Sequence, residues 1–268
     1  MNQPAFLSMR RTDLWGTPSW QVPDHIHTAI LFAGSRQKAA IRVNGRAMID
    51  YVQGALKDAR NIGHIVIVCD AGPLPRWAFD ADYLPGVSVV RARASTGESV
   101  LGAIEAAPQG WPFLVTTADH PLLTASIVDG FCYLAATVAG DLSAGLVRRR
   151  LLEEVHPQVR RTFLPFRDTA IAGCNLFALK NPATLSAIRF WGDAGLPALV
   201  ASHLDRLTLI EAFARASQDA GAHVAPILLP WPEAAIAVDG EDDLPLVADI
   251  LATRNTARIS GWQRVTTL

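Results

Sequence analysis

Thr28-Ala29-Ile30-Leu31-Phe32-Ala33, closed by Gly34-Ser35, is the stretch on which the fold turns. It is short, apolar and without polar alternation, the pattern of a strand buried on both faces, as in a parallel sheet. A glycine directly after such a strand turns the chain tightly and exposes backbone N–H groups. The same shape recurs downstream: His64-Ile-Val-Ile-Val-Cys69 closed by Asp70-Ala-Gly-Pro73, then Val87–Arg91, then Pro112–Thr117. Helical spacing fills the gaps, with Met48, Ile49, Val52 and Leu56 between Ala47 and Ala59, then Ser99–Ala107, then Leu122–Ala139.

Strand, helix, strand, helix at this spacing predicts an α/β fold with a mostly parallel sheet, right-handed crossovers and helices on both faces. In such doubly wound sheets the ligand lies beyond the carboxyl ends of the strands. The residues just after each strand are therefore the ones to inspect. In the second half the pattern predicts a strand at Ala144–Val147, a basic irregular segment from Arg148 to Asp168 and a strand at Ala170–Leu179. A broken helical region follows over Pro182–Ala216, then strands at His223–Leu229 and Ala234–Val238, and a closing helix over Asp242–Thr253. Residues 1–27, with Pro4, Pro18, Pro23, Trp15 and Trp20, have no period and read as an irregular arm; residues 28–268 read as one domain.

Half of the 268 residues are hydrophobic and 18% are charged, enough apolar material for a sizeable core. A net charge of −1 gives no long-range field for nucleic acid or an anionic membrane, so any anionic ligand must be held by local donors. No window approaches the roughly 18 apolar residues of a membrane span. Cys69, Cys132 and Cys174 are widely spaced in apolar surroundings and read as buried free thiols. An odd count without a disulfide pattern fits a reducing cytoplasm.

Three strand ends carry chemistry. Leu31-Phe-Ala-Gly34-Ser35-Arg36, with Lys38 two residues on, combines a glycine turn with cations suited to a phosphate chain, although a plain turn has the same form. Thr116-Thr-Ala-Asp119-His-Pro121 delivers a carboxylate at a strand end, suited to Mg²⁺ or, equally, to capping the next helix alongside Thr124. Ile236-Ala-Val-Asp239 delivers another, and Glu241, Asp242 and Asp243 after it suit a helix amino terminus. The arginines Arg148–Arg150, Arg160, Arg161 and Arg167 form either an anion clamp or a solvated surface run offset by Glu153, Glu154 and Asp168. His120 and His156 are candidate supporting groups.

Taken in order, these elements resemble the MobA-like NTP transferases, the family of molybdenum-cofactor guanylyl- and cytidylyltransferases and their relatives. The family's leucine-alanine-glycine loop, lysine and Val-x-Gly-[Lys/Arg]-Pro-Met-[Ile/Leu] stretch are matched by Leu31-Phe-Ala-Gly34, Lys38 and Val43-Asn-Gly-Arg-Ala-Met-Ile49. Its Asp-x-Pro-Leu is matched by Asp119–Leu122, its late aspartate before an Asp-Leu helix start by Asp239–Leu244, and a Gly-x-Asn-Leu-Phe stretch by Gly173–Phe177. The similarity spans residues 28 to 252. It implies a Rossmann-like sheet of GT-A type and transfer of NMP from a nucleoside triphosphate to a small phosphorylated acceptor, with release of pyrophosphate. By the same resemblance, Leu31, Ala33, Gly34, Ser35 and Arg36 would bind the nucleotide's phosphates, and Lys38 would neutralise charge near the α-phosphate. Asp119 and Asp239 would hold Mg²⁺, Ser95, Gly97 and Ser99 would meet base and ribose, and Arg161, Arg167 and Asn175 would meet the acceptor.

The sequence departs from the family in one place. Relatives carry a longer glycine- and arginine-containing loop before the lysine; here only Ser35, Arg36 and Gln37 intervene, and Ala47 replaces the proline. A short loop wraps fewer phosphate oxygens, which makes a nucleotide-binding protein with reduced or lost turnover the alternative. A GT-A glycosyltransferase is the other, although no Asp-x-Asp closes a strand.

Overall fold

The computed structural model describes residues 26–34, 36–70, 85–191 and 205–265, the backbone alone at 36, 37, 191 and 255–265. Residues 1–25 of the proposed N-terminal arm, Ser35 and the expected helix break at Gly192–Pro197 lie outside the described residues; His27, placed at the end of the arm, instead opens the first strand.

Strand β1 (His27–Gly34) is buried along nearly its whole length and pairs in parallel with β4 (Ile62–Cys69) on one side and β6 (Phe113–Thr117) on the other. Between β1 and β4 run a five-residue helix α1 (Arg36–Ala40), a two-residue hairpin of β2 (Arg42–Val43) and β3 (Arg46–Ala47), and helix α2 (Met48–Asp58). The hairpin is absent from the sequence reading because two-residue strands carry no detectable period. Strand β5 (Val87–Arg91) extends the sheet beyond β4 in parallel and leads into α3 (Thr96–Ala106). Beyond β6 come α4 (Ala125–Thr137), β7 (Leu142–Arg148), α5 (Arg149–Val155), a short β8 (Leu164–Pro165) and the long β9 (Ala170–Leu179). Helices α6 (Thr184–Trp191) and α7 (Leu209–Ala220), strand β10 (Val224–Leu228) and helix α8 (Leu244–Val265) complete the order.

The sheet runs β10-β7-β9-β6-β1-β4-β5, with β8 on β9. β9 is antiparallel to both β6 and β7, while β7 and β10 are parallel to each other. Chain order reverses at β1, which has β4 on one side and β6 on the other. That reversal is a topological switch point and places the crevice for a ligand at the ends of β1 and β6.

Both faces are covered. One core packs α2, α4 and α8 against the sheet through Met48, Val52, Leu56, Ile127, Phe131, Val247 and Leu251. The other packs α3, α6 and α7 through Val100, Ala103, Ile188, Ala212, Phe213 and Ala216. The helix ends are specified locally. Thr124 caps α4 by accepting from the Ile127 N–H, and Thr208 with Glu211 forms a full capping box on α7. Gly221 ends α7 at φ +64, a left-handed position that favours glycine.

Two expectations are corrected. Residues 148–168 are not irregular throughout. Arg149–Val155 is helical, anchored by buried Leu152 and an Arg149–Glu153 pair at 2.7 Å, one turn apart. Nor is Ala234–Val238 a strand. Pro232, which lacks an N–H for a ladder, opens a single 3-10 turn over Pro232–Ala235, and extended chain follows. The apolar run is there because residues 234–238 are buried. That extended chain bonds the exit of β6 instead of joining the sheet: the Val238 N–H donates to the Asp119 carbonyl at 2.8 Å. Glu233, partly buried between His156 (3.3 Å) and Arg254 (3.9 Å), fixes the turn against α5 and α8.

Candidate active site

At the end of β1, Gly34 has φ +65, and no described atom lies within 4 Å of where a side chain would begin. Glycine holds that conformation without the Cβ clash other residues meet. The chain then starts α1 at once, and one turn of this helix carries Lys38 back over the strand ends.

The neighbouring strand delivers Asp119. Phe32 lies opposite Thr117, and the Ala118 N–H still donates to the Phe32 carbonyl at 2.8 Å, so Asp119 emerges beside the glycine turn. Its carboxylate accepts from Lys38 Nζ at 2.8 Å and from the Thr117 hydroxyl at 2.5 Å. Burial, the largest influence, pushes the Asp119 carboxyl up, and the hydrogen bonds from Lys38 and Thr117, with the Lys38 charge, pull it down. An imidazolium at His120 would add to that pull, but the ring is neutral, as its hydrogen bonding requires. Capping of α4 falls to Thr124, which leaves the Asp119 side chain to this cluster.

Asp239 arrives from the extended segment stapled to Asp119. Its Oδ1 lies 3.9 Å from Lys38 Nζ and its Oδ2 accepts from Arg161 Nη1 at 2.5 Å. Behind it, Asp243 accepts from the N–H groups of Asp239 and Gly240 at 2.8 and 3.0 Å, fixing the turn. Lys38 thus bridges the two carboxylates, whose facing oxygens are closer than the sum of its two contacts. That spacing is within the ~8 Å that one hexacoordinate ion can span with intervening water.

A second layer supports Asp119. Asn175 Nδ2 donates to Thr117 Oγ1 at 3.3 Å and to His120 Nε2 at 3.0 Å. An amide nitrogen only donates, so His120 Nε2 is the acceptor and the imidazole is neutral, with its proton on Nδ1. Burial, the largest influence, keeps the His120 pKa below its ordinary value; Asp119 and Asp239 draw it up, and Arg161 and Lys38 push it down. The 3.8 Å approach of His120 to Asp119 is accordingly not an ion pair.

The remaining candidates are more dispersed. Leu31 is fully buried and Ala33 nearly so, packing the core under the turn. Arg36 opens α1, and Ser35 is outside the described residues. Ser95, Gly97 and Ser99 lie after β5, two strands from β1. There Ser95 caps α3, while Ser99 Oγ donates to the Ser95 carbonyl and accepts from the Arg93 N–H. Arg161 and Asn175 reach the carboxylate cluster. Arg167 instead pairs with Glu211 of α7 at 3.2 Å. Thr117 is absent from the sequence-derived set, although its position two residues before a strand-end aspartate was a usable signal. All three cysteines are buried free thiols, and burial pushes those of Cys132 and Cys174 well above the ordinary thiol range.

A family model for the MobA-like NTP transferase domain matches residues 32–224. The chain belongs to this family. It is a nucleotidyltransferase, and the matched span contains the glycine turn, Lys38, Asp119, Arg161 and Asn175, stopping short of Asp239. Among solved structures, a hypothetical transferase from Thermus thermophilus is 26% identical over 82% of this chain and 99% of its own, with a TM-score of 0.65. At the level of fold alone, 4-diphosphocytidyl-2C-methyl-D-erythritol synthase from Anaerococcus prevotii matches at 12% identity and TM-score 0.59, over 85% of this chain and 99% of its own. CMP:2-keto-3-deoxy-manno-octonic acid synthetase complexed with CTP matches at 14% identity and TM-score 0.59, over 86% and 99%. Among curated proteins none matches this sequence significantly. No helix among the described residues is long and apolar enough to cross a membrane.

Proposed function

We propose that this MobA-like chain transfers NMP from a nucleoside triphosphate to a small phosphorylated acceptor, with Mg²⁺ as cofactor and pyrophosphate as leaving group. The observation that carries the reading is the convergence of Lys38, Asp119 and Asp239 beside the Gly34 turn at the switch point of the sheet. Two carboxylates supply an all-oxygen donor set that fits Mg²⁺, which takes one or two protein carboxylates and completes its shell with phosphate and water. Bound there, the ion would supply positive charge against the phosphates.

The chain's own residues do the rest. The Gly34 turn presents backbone N–H groups to the phosphate chain. Lys38, already within reach of both carboxylates, exchanges them for the α-phosphate once nucleotide enters. Arg161, held by Asp239, is the fork best placed to take an anionic acceptor, and Asn175 lines the same side. In-line transfer gains most of its rate from such positioning and charge neutralisation.

A second reading has an observation of its own. Because α1 starts at Arg36, the phosphate loop is as short as the sequence implies, which favours nucleotide binding with little turnover. Incubating the protein with each of the four NTPs, phosphorylated acceptor pools and Mg²⁺ or EDTA separates the two. Metal-dependent pyrophosphate release from one NTP supports transfer. Metal-dependent stabilisation by an NTP without release from any pool supports the binding protein, and neither effect would sink both.

A further inference from the structure

We infer that His120 is a positioning residue for this reaction, acting as the neutral hydrogen-bond acceptor that locks Asn175, and through Thr117 the Asp119 carboxylate, into one orientation. The inference rests on Asp119 being a ligand-binding carboxylate, as proposed above.

The case begins in β9. Its pairing with β7 runs Ala144 to Phe177 and then Leu146 to Gly173, so two steps on β7 span four on β9. The surplus residues form a bulge around Asn175, whose backbone is left-handed at φ +48. Asparagine tolerates that conformation better than most residues, and bulges beside active sites commonly re-aim a side chain. The bulge has room because β7 carries Gly145 opposite it; a Cβ there would sit 3.2 Å from Leu176 Cβ and 3.3 Å from the Phe131 ring. The result aims the Asn175 amide at the exit of β6.

The two N–H bonds of the Asn175 amide then meet two acceptors, Thr117 Oγ1 at 3.3 Å and His120 Nε2 at 3.0 Å. Because Thr117 accepts this bond, its own proton is committed to Asp119 Oδ1. The chain of donors runs one way: Asn175 to Thr117 to Asp119. His120 makes the shorter contact, is 2% exposed and follows Asp119 directly. Its ring lies against protein groups, Asn175 at 3.0 Å and Asp119 at 3.8 Å. A buried histidine with a pure donor beside Nε2 works as a bracket; it has no open path to act as a base.

The test uses full-length protein, with His120→Leu removing the acceptor at similar bulk and His120→Gln restoring an acceptor near the Nε2 position. Nitrogen-15 NMR of imidazole-labelled protein should show His120 as the Nδ1–H tautomer. Mn²⁺ binding in the presence of each NTP, read by electron paramagnetic resonance, should weaken several-fold in His120→Leu and recover in His120→Gln. In turnover, kcat should fall about tenfold in the leucine variant, ~1.4 kcal/mol of barrier, with KM for NTP within about threefold. An Nε2–H tautomer, equal impairment of both variants, or an unimpaired leucine variant would overturn the bracket. Wild-type protein that binds no Mn²⁺ with any NTP would fail the function reading instead, and the tautomer would still decide whether His120 holds Asn175 as inferred.

Discussion

Replacing Lys38 by methionine perturbs the centre of the site without changing its bulk, and the geometry sets the size of the effect. The lysine donates a 2.8 Å charge-assisted bond to Asp119, whose side chain is only 16% exposed. Bonds of that kind contribute about 1.5–3 kcal/mol. The lysine itself is 34% exposed, and its second partner Asp239 is 66% exposed at 3.9 Å, so solvent screens much of the attraction and the second pair adds little. The nucleotide-free variant should therefore lose about 1–2 kcal/mol at neutral pH, a fall in Tm of roughly 2–6 °C for a domain of this size. Lys38 pulls the Asp119 carboxyl down, so the stability of the pair is fully present at neutral pH, where both groups are charged, and is lost as pH falls through the folded value of Asp119. The gap between wild type and variant should be constant near neutral pH and start to close where Asp119 of the variant, its burial no longer opposed by Lys38, takes up its proton. Mg²⁺ without nucleotide should stabilise the variant more than wild type, since no ammonium has to leave the carboxylates. In turnover, loss of this cation should lower kcat by roughly 10²–10³, the scale for removing one preorganised charge-stabilising donor. Thermal unfolding across pH, with and without Mg²⁺, reads the stability arms. A variant as stable as wild type at pH 7, or a gap that survives deep into acid, would refute the bridging role.

Other consequences follow from local geometry. Gly145→Val should cost about 1–3 kcal/mol by crowding Leu176 and Phe131, and should reduce kcat beyond what its Tm suggests, because the bulge it displaces carries Asn175. Thr124→Ala should cost ~1 kcal/mol in unfolding free energy while leaving KM for NTP unchanged, since the cap of α4 and the Asp119 cluster are separate. The three thiols should resist a disulfide reagent in the native protein and react together on denaturation; rapid native labelling would contradict their burial.

The central strands β1, β4 and β6 are written plainly in the chain because each is largely buried and runs into a glycine or an acidic turn. The second half is less legible for identifiable reasons. Ala234–Val238 is as apolar and buried as a strand, and only Pro232 hints that it leaves the ladder. The charges of Arg149–Val155 conceal a helix that uses them as an i,i+4 pair. In the candidate site, the residues alone leave Lys38 and Asp119 open to a plain turn or a helix cap, and the order of the motifs, through the family resemblance, is what singles out Lys38, Asp119 and Asp239. Their mutual pairing is not findable, nor is Arg161's attachment to Asp239, since both depend on where residues 78 or more apart in sequence come to rest. The Asn175 bulge was visible only as the Gly173–Phe177 stretch; its register shift arises from pairing with β7 and has no sequence period.

The most direct test is a crystal structure with Mn²⁺ and a non-hydrolysable NTP analogue, locating the metal by anomalous scattering. The expected result is a Mn²⁺ peak coordinated by Asp119 and Asp239, with Lys38 moved from the carboxylates onto the phosphates beside Gly34. A metal bound elsewhere, or Lys38 still bridging the two carboxylates with nucleotide in place, would contradict it.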